Sequence, residues 1–203
     1  MKLLIGMPSL TGSIPIVLVQ RILGFKQAPG LEVHFAFTER VLIERARNAL
    51  AQKALNGKYD YLFFLDDDTL PPTDIIFDMI ALDKDIVVAP VADRNGEGTL
   101  ALFDDDLKPI KQLATTHRVG AGGMSCTLIK RATLEAVAKA HGKPFEFITK
   151  EDGGQIGEDV NFCTRAWLRN FETWAIPMKI QHIGRRVAFA YDPATGLTEG
   201  AII

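Results

Sequence analysis

A chain of 203 residues with 47% hydrophobic content is long enough for one sizeable core and short for two, which predicts a single compact domain. Its formal charge of -2, with Lys and Arg spread along the sequence, gives no basic stripe to track a phosphate backbone, so nucleic acid is excluded as the expected partner. The apolar start MKLLIGMPSL is broken by Gly6 and Pro8 before it has the length of a signal-peptide core, and no run reaches the ~18 apolar residues of a spanning helix; a cytoplasmic protein without a transmembrane segment is expected.

In chain order, KLLIGMP and LEVHFAFTE read as strands, the second alternating Leu31, Val33, Phe35 and Phe37 on one side. TGSIPIVLVQRILGFKQ lies between them and predicts a helix capped by Thr11 or Ser13, with Pro15 in its first turn and Ile16, Val19 and Leu23 on its apolar face. VLIERARNALAQKALNG is a second helix closed at Asn56-Gly57, and the unbroken apolar run DYLFFL follows as a strand. This βαβαβ order implies a parallel sheet covered on both faces. TDIIFDMIAL adds a helix and DIVVAP a strand. The turn-rich ADRNGEGTLALFDDDLKPIKQL predicts antiparallel hairpin strands joined to the sheet, and GMSCTLIKRATLEAVAKA predicts strand then helix. KEDGGQIGEDV reads as a polar, Gly-rich loop leading into a helix with Val160, Cys163 and Trp167 on one stripe, and FETWAIPMKI as a last strand. The tail from Arg185 shows no clear periodicity. Cys126 and Cys163 lie far apart without metal-ligand spacing, so both thiols are expected free.

The informative feature is YDYLFFLDDDTLPP, an apolar strand that runs into Asp66, Asp67 and Asp68 and stops at Pro71-Pro72. Ligands of open α/β sheets bind beyond the carboxyl ends of the strands. Along an extended backbone Asp66 and Asp68 face one side, and two carboxylates held together are relieved by a hard cation such as Mg²⁺ or Mn²⁺. The bland alternative is a solvated acidic turn. That alternative is assigned to the second run, Asp104 to Asp106, between short hairpin strands.

Two more stretches share this order. RARNALAQKAL puts Arg45 and Asn48 on one helical face, and GEDVNFCTRAW followed by MKIQHIG gives a carboxylate pair and then a His. With FLDDDTLPP, these motifs over residues 1 to about 184 resemble the GT-A glycosyltransferases, especially family 2-like members. The resemblance implies an α/β GT-A fold: a mixed, mostly parallel central sheet flanked by helices, with residues 1–92 the nucleotide-binding half, 93–184 the acceptor and metal half, and 185–203 a tail. It implies transfer of a sugar from a nucleotide diphosphate sugar to an acceptor hydroxyl of a saccharide, lipid-linked sugar or protein, helped by Mn²⁺ or Mg²⁺.

Position by position, Asp66 and Asp68 look like the Asp-x-Asp pair. Asp68 would bind the metal, and Asp66 would lie nearer the ribose or reach the metal through water. His182 looks like a further metal ligand, which would favour Mn²⁺; an ordinary packing histidine is the alternative. Asp159 resembles the base of inverting members, with Glu158 supporting it or touching the acceptor, although acids at any helix start are favoured by the macrodipole. Pro8 occupies the first-strand loop beside the nucleotide. Where family 2 enzymes commonly carry a DDGS-like stretch, this chain has FAFTERVLIERARN, so Glu39 is the substitute. Arg45, Asn48 and Arg185 complete the donor side, with Arg47 replacing Arg45 if the helix is rotated. VGAGGMSC either offers backbone N–H groups to the sugar or is a tightly packed strand, and Gly153, Gly154 and Gly157 are expected hinge points of a closing loop.

Three rivals differ in sequence. A haloacid-dehalogenase-like phosphatase needs Asp-x-Asp-x-Thr, but the residue two beyond Asp68 is Leu70. A nucleotidyltransferase of similar architecture calls for a basic Gly-rich loop after the first strand, and MPSLTGSIP holds no Lys or Arg. A non-catalytic nucleotide-sugar-binding module is the third.

Overall fold

A computed structural model describes residues 1–26, 28–92, 100–183, 187–192, 194 and 197–202. Strand β1 (Lys2–Ser9), helix α1 (Ile16–Leu23), β2 (Glu32–Glu39), α2 (Ile43–Asn56) and β3 (Tyr61–Leu65) form the expected βαβαβ unit. Both β2 and β3 pair with β1 in parallel. β1 is buried from Leu3 to Ser9, as a strand covered on both faces must be. Then come β4 (Thr69–Leu70), α3 (Ile75–Ala81), β5 (Ile86–Val88), β6 (Leu102–Phe103), β7 (His117–Val119), β8 (Ala121–Gly122), β9 (Cys126–Lys130), α4 (Arg131–His141), β10 (Ile148–Thr149), β11 (Gln155–Ile156), α5 (Glu158–Trp167), β12 (Thr173–Ala175), β13 (Gln181–Ile183), β14 (Val187–Asp192) and β15 (Leu197–Ile202).

The central sheet has the order β2-β1-β3-β9-β5-β12-β7. It is mixed and mostly parallel: β9 runs against both β3 and β5, β7 runs against β12, and the remaining neighbours are parallel. Alternation along the strands divides the core. Leu4, Leu62, Phe64 and Val88 pack with α2, α4 and α5 on one face, while Leu3, Ile5, Phe63 and Val87 pack with Leu18 of α1 and with α3 on the other.

Several expectations change. α1 buries Leu18, whereas Ile16, Val19 and Leu23 are exposed; its N-cap is Pro15 without a side-chain cap bond, and the Thr11 and Ser13 hydroxyls bond each other at 2.9 Å. α5 buries Phe162, Cys163 and Ala166 and leaves Trp167 exposed. β6 does not join the central sheet but pairs with β8, and β7 is the strand added at the far edge. The Gly-rich loop before α5 is an antiparallel hairpin, β10–β11. The tail forms β14 and β15, which with β13 and β4 make a second sheet of order β15-β14-β13-β4. Both cysteines are free and buried.

This topology positions the carboxylates. Because β9 is antiparallel to β3, its first residue lies beside the last residue of β3, Leu65 opposite Cys126. Ser125 therefore meets Asp66, whose N–H donates to the Ser125 carbonyl at 2.9 Å. β13 pairs with β4 through His182 opposite Thr69, so the late histidine is brought to the Asp68 side of the turn.

Candidate functional site

The centre of the site is an arginine in an apolar stripe. α2 buries Ala46, Arg47, Leu50, Ala51 and Ala54, a spacing that puts Arg47 in phase with the core-facing residues. Its side chain is 5% exposed. Nη1 donates to Glu158 Oε1 at the start of α5, Nη2 lies 3.6 Å from Asp66 Oδ2 at the end of β3, and the guanidinium sits 5.9 Å from the centre of the Phe64 ring. Ser125 Oγ donates to Asp66 Oδ2 at 2.8 Å. One cation thus ties the carboxylate at the end of β3 to the carboxylate at the start of α5. Burial pushes the Glu158 carboxyl above its ordinary range, the Arg47 charge opposes this, and Asp159 and Asp66 add to it. Among the described residues, Asp66 Oδ1 and Arg47 Nε are buried without a hydrogen-bond partner, which leaves polar capacity in the cluster for a bound group.

Residues 66–68 are not extended. Thr69 N–H donates to the Asp66 carbonyl at 3.1 Å, closing a turn, so Asp66 goes to Arg47 and Ser125 while Asp68 goes to His182. The strand alternation used to pair the two carboxylates does not apply here. His182 is 6% exposed. Its Nδ1 lies 3.1 Å from the Ala92 carbonyl, which only accepts, so Nδ1 carries the proton. Nε2 then faces Asp68 Oδ2 at 3.3 Å. A neutral imidazole would set two acceptors against each other there; a proton on Nε2 or a shared cation resolves the contact. Among the described residues no three His, Cys, Asp or Glu side chains gather to hold an ion. Asp68 Oδ2 and His182 Nε2 bring two ligand-type atoms within 3.3 Å of each other; a divalent ion seated there would need its other positions filled from beyond this pair.

Asp159 follows Glu158 in the first turn of α5. Its Oδ1 accepts the Val160 N–H at 2.8 Å, and Oδ2 faces Gly123, where an added Cβ would sit 3.7 Å away. One carboxylate oxygen of Asp159 thus serves the first turn of α5 and the other is turned to Gly123. Glu158, by contrast, is buried against Arg47. Gly120 answers the packing alternative for VGAGGMSC: a Cβ there would lie 2.1 Å from the Asp104 carbonyl oxygen.

The remaining candidates divide by position. Glu39 ends β2 opposite Ser9, and its carboxylate approaches Gly12, where a Cβ would be 3.2 Å from Oε2; it and the first-strand loop share the edge that holds Asp66. Pro8 is buried within β1. Asn48 is engaged structurally, its amide donating to the Glu44 and Phe145 carbonyls at 2.9 and 2.6 Å and accepting the Phe145 N–H at 3.1 Å. Arg45 is exposed and lines a shallow groove with Leu42, Asn48 and Lys143. Arg47, not Arg45, is the arginine at the carboxylates. The larger surface groove, lined by Gln52, Lys53, Asn56 and Tyr59, holds none of the candidates. Arg185 lies outside the described residues. Ser125 lies in the VGAGGMSC stretch, where the sequence points to the glycines and their backbone rather than to the serine hydroxyl. The Asp104–Asp106 run is a self-bonded surface turn, with Asp104 Oδ1 accepting the Asp106 and Lys108 N–H groups at 3.0 and 2.8 Å.

Comparison with known proteins bears on the fold. The model of the Anp1 family, a mannosyltransferase family, matches residues 30–106, the segment that holds Arg47 and the three aspartates. The crystal structure of A197 from STIV is similar over 100% of this chain and 94% of that one, with a TM-score of 0.69 at 23% identity. The glycosyltransferase TarS of S. aureus matches over 88% of this chain with a TM-score of 0.51 at 12% identity, and the match spans 37% of TarS. The fold is glycosyltransferase-like. No curated protein matches the chain in sequence.

Proposed function

We propose that this protein is a metal-dependent glycosyltransferase of the GT-A, family 2-like type, moving a sugar from a nucleotide diphosphate sugar to an acceptor hydroxyl with inversion. The observation that carries the reading is the buried Arg47 between Asp66 and Glu158, which draws the end of β3 and the start of α5 into one cluster where, among the described residues, Asp66 Oδ1 is left without a partner. Mn²⁺ or Mg²⁺, when bound, would neutralise charge that builds on the departing diphosphate. Asp68 and His182 would hold that ion. Asp66, fixed by Ser125 and Arg47, would orient the donor with its unpaired Oδ1, and Glu39 would meet the nucleoside at the neighbouring strand end. Glu158 would position α5. The free oxygen of Asp159 would take the acceptor proton as the sugar centre becomes oxocarbenium-like, which requires the hydroxyl within hydrogen-bond reach. Transfer to an acceptor is microscopically different from binding, so turnover separates this reading from a nucleotide-sugar-binding module.

The test is calorimetry of nucleoside diphosphates with and without Mn²⁺. Binding is expected to require the ion, to be lost in Asp68→Ala, and to weaken less in His182→Ala, where carboxylate, phosphate and water ligands remain. Undiminished affinity in the absence of a divalent ion would overturn the metal assignment.

A further inference from the structure

The central sheet ends differently on its two sides. The β7 edge is three residues long, whereas the β2 edge runs for eight, EVHFAFTE, with its acids Glu32 and Glu39 at the two ends and no Lys, Pro or Gly between them; short strands, lysines and prolines are the usual guards of an open edge. No described strand pairs with the outer side of β2. Along a parallel pair, alternate residues turn both backbone groups to the neighbour. Glu32 N–H donates to the Met1 carbonyl at 2.9 Å and Arg40 N–H to the Ser9 carbonyl at 3.2 Å, so the even-numbered residues of β2 bond β1. Val33, Phe35, Phe37 and Glu39 therefore turn their N–H and C=O groups outward. Their side chains lie on the α1 face by alternation. α1 packs toward β4, and the segment after it is held there by Lys26 N–H donating to the Thr73 carbonyl at 2.8 Å. That leaves Phe35 43% and Phe37 49% exposed, although Val33 packs into the core on the same face.

This edge is complementary to itself. A two-fold axis perpendicular to the sheet sets residues of the same face opposite each other, so outward-turned residues meet outward-turned residues and close the ladder bonds. With the axis at Ala36, Phe35 of each copy lies opposite Phe37 of the other, His34 opposite Thr38 and Val33 opposite Glu39. Ala36, small and buried, puts nothing in the way at the axis. Aromatic pairs directly opposed stabilise an antiparallel ladder, and like charges directly opposed destabilise it. No like charges are opposed here. Glu32, beside its own His34 and Lys2, comes next to Arg40 of the other copy, and the Glu39 carboxylate leans on Gly12 of its own chain. An axis at Phe35 would keep one aromatic pair instead of two and set Leu31 against Glu39. Any extended peptide meets the backbone groups of an open edge; the doubled Phe35–Phe37 match selects a second copy.

We propose that β2 pairs antiparallel with β2 of a second copy, joining the two central sheets into one across a two-fold axis at Ala36. Phe35 and Phe37 of both copies then cover one another on the α1 face of the joint. Because β2 and β3 both run parallel to β1, the two Asp66 edges open at opposite ends of the joined sheet, and each copy keeps its own site. The pairing does not depend on the transferase reading and is measured without turnover.

Sedimentation equilibrium of the whole protein tests it. A monomer–dimer equilibrium is expected for the wild type. Phe35→Glu/Phe37→Glu gathers like charges at the joint and should weaken association about tenfold or more. Phe37→Pro should weaken it as well, since an edge strand tolerates the ring where its N–H faces solvent but a paired strand loses a ladder bond. Trp167→Glu/Leu168→Glu, an exposed apolar pair on α5 and the residue after it, should leave association unchanged. Circular dichroism checks that each variant is folded. Oxidation reads the register: His34→Cys mixed with Thr38→Cys should form an intermolecular disulfide, the opposed pair being of the close, non-hydrogen-bonded kind, while neither variant alone should. A wild-type protein that stays monomeric at its highest soluble concentration would overturn the proposal, as would a dimer that both β2 variants keep or that the α5 variant dissolves. A disulfide formed by His34→Cys alone would overturn the axis at Ala36.

Discussion

Replacing Arg47 by Met keeps an unbranched apolar stem, two atoms shorter, but removes the guanidinium that lies over Phe64 and between Asp66 and Glu158. With the Glu158 side chain 7% exposed, the loss at neutral pH is expected to be about 3–5 kcal/mol, the usual result of leaving one member of a buried pair alone. That is a large part of the ~5–15 kcal/mol that holds an ordinary domain folded. Protonation of Glu158 limits the damage, so the loss depends on pH. The Glu158 carboxyl is already raised in the folded protein, chiefly by burial, with Arg47 the main opposing influence. A raised acid binds its proton more tightly folded than unfolded, so its contribution to stability declines as pH rises from the ordinary carboxylate range to the folded value. Without Arg47 that upper limit moves higher. Urea unfolding of wild type and Arg47→Met should therefore show a gap that widens as pH rises above the ordinary carboxylate range. Adding Glu158→Gln to Arg47→Met should recover part of the loss, because no charge is then left unpaired at that end. A gap under ~1 kcal/mol, or one that does not change with pH, would refute the reasoning and mean that water reaches these groups.

Asn48→Ala removes bonds to the Phe145 backbone in both directions and is expected to cost ~1–3 kcal/mol in chemical denaturation, as an unsatisfied buried group does, while nucleotide affinity of the folded protein stays near wild type; a selective loss of nucleotide affinity would return Asn48 to the donor site. Burial pushes the Cys163 thiol up to about 11 and raises Cys126 further, so neither should react with a maleimide at about pH 8 before unfolding; labelling of the native protein at the rate of free cysteine would contradict their placement.

Much of the fold was legible because long apolar runs report burial directly. β1 and β3 are continuous runs and are buried as such, and α2 ends at Gly57 as its sequence indicates. The failures have a shared cause: phase on a helix or a turn is decided by contacts that a short sequence window does not contain. Arg45 and Asn48 do share a face, yet the core-facing stripe is that of Ala46, Leu50 and Ala54, and Arg47 belongs to it. Reading the arginine against those apolar residues would have found it. α1 was assigned the wrong face because six of its eight residues are apolar, so periodicity has little contrast there. The turn at Asp66 to Thr69 and the tail strands depend on β13 and β14 pairings with partners remote in sequence. Ser125 depends on β9 entering antiparallel between β3 and β5, a crossover without a local signature. The Asp66, Asp68, Glu158 and His182 candidates were visible since ionisable residues directly beside apolar runs are costly unless they are paired or used.

The central claim rests on Asp159, and Asp159→Asn tests it most directly. The amide oxygen still accepts the Val160 N–H, so the helix start is kept while the proton acceptor is lost. Sugar transfer, measured with a nucleotide sugar that the protein binds, is predicted to fall by roughly two to four orders of magnitude with donor affinity near wild type. A folded Asp159→Asn protein with near-normal transfer would contradict the account and reduce Asp159 to a first-turn acid of α5. Joint loss of donor binding and transfer would place it on the donor side and favour a retaining mechanism without a dedicated base.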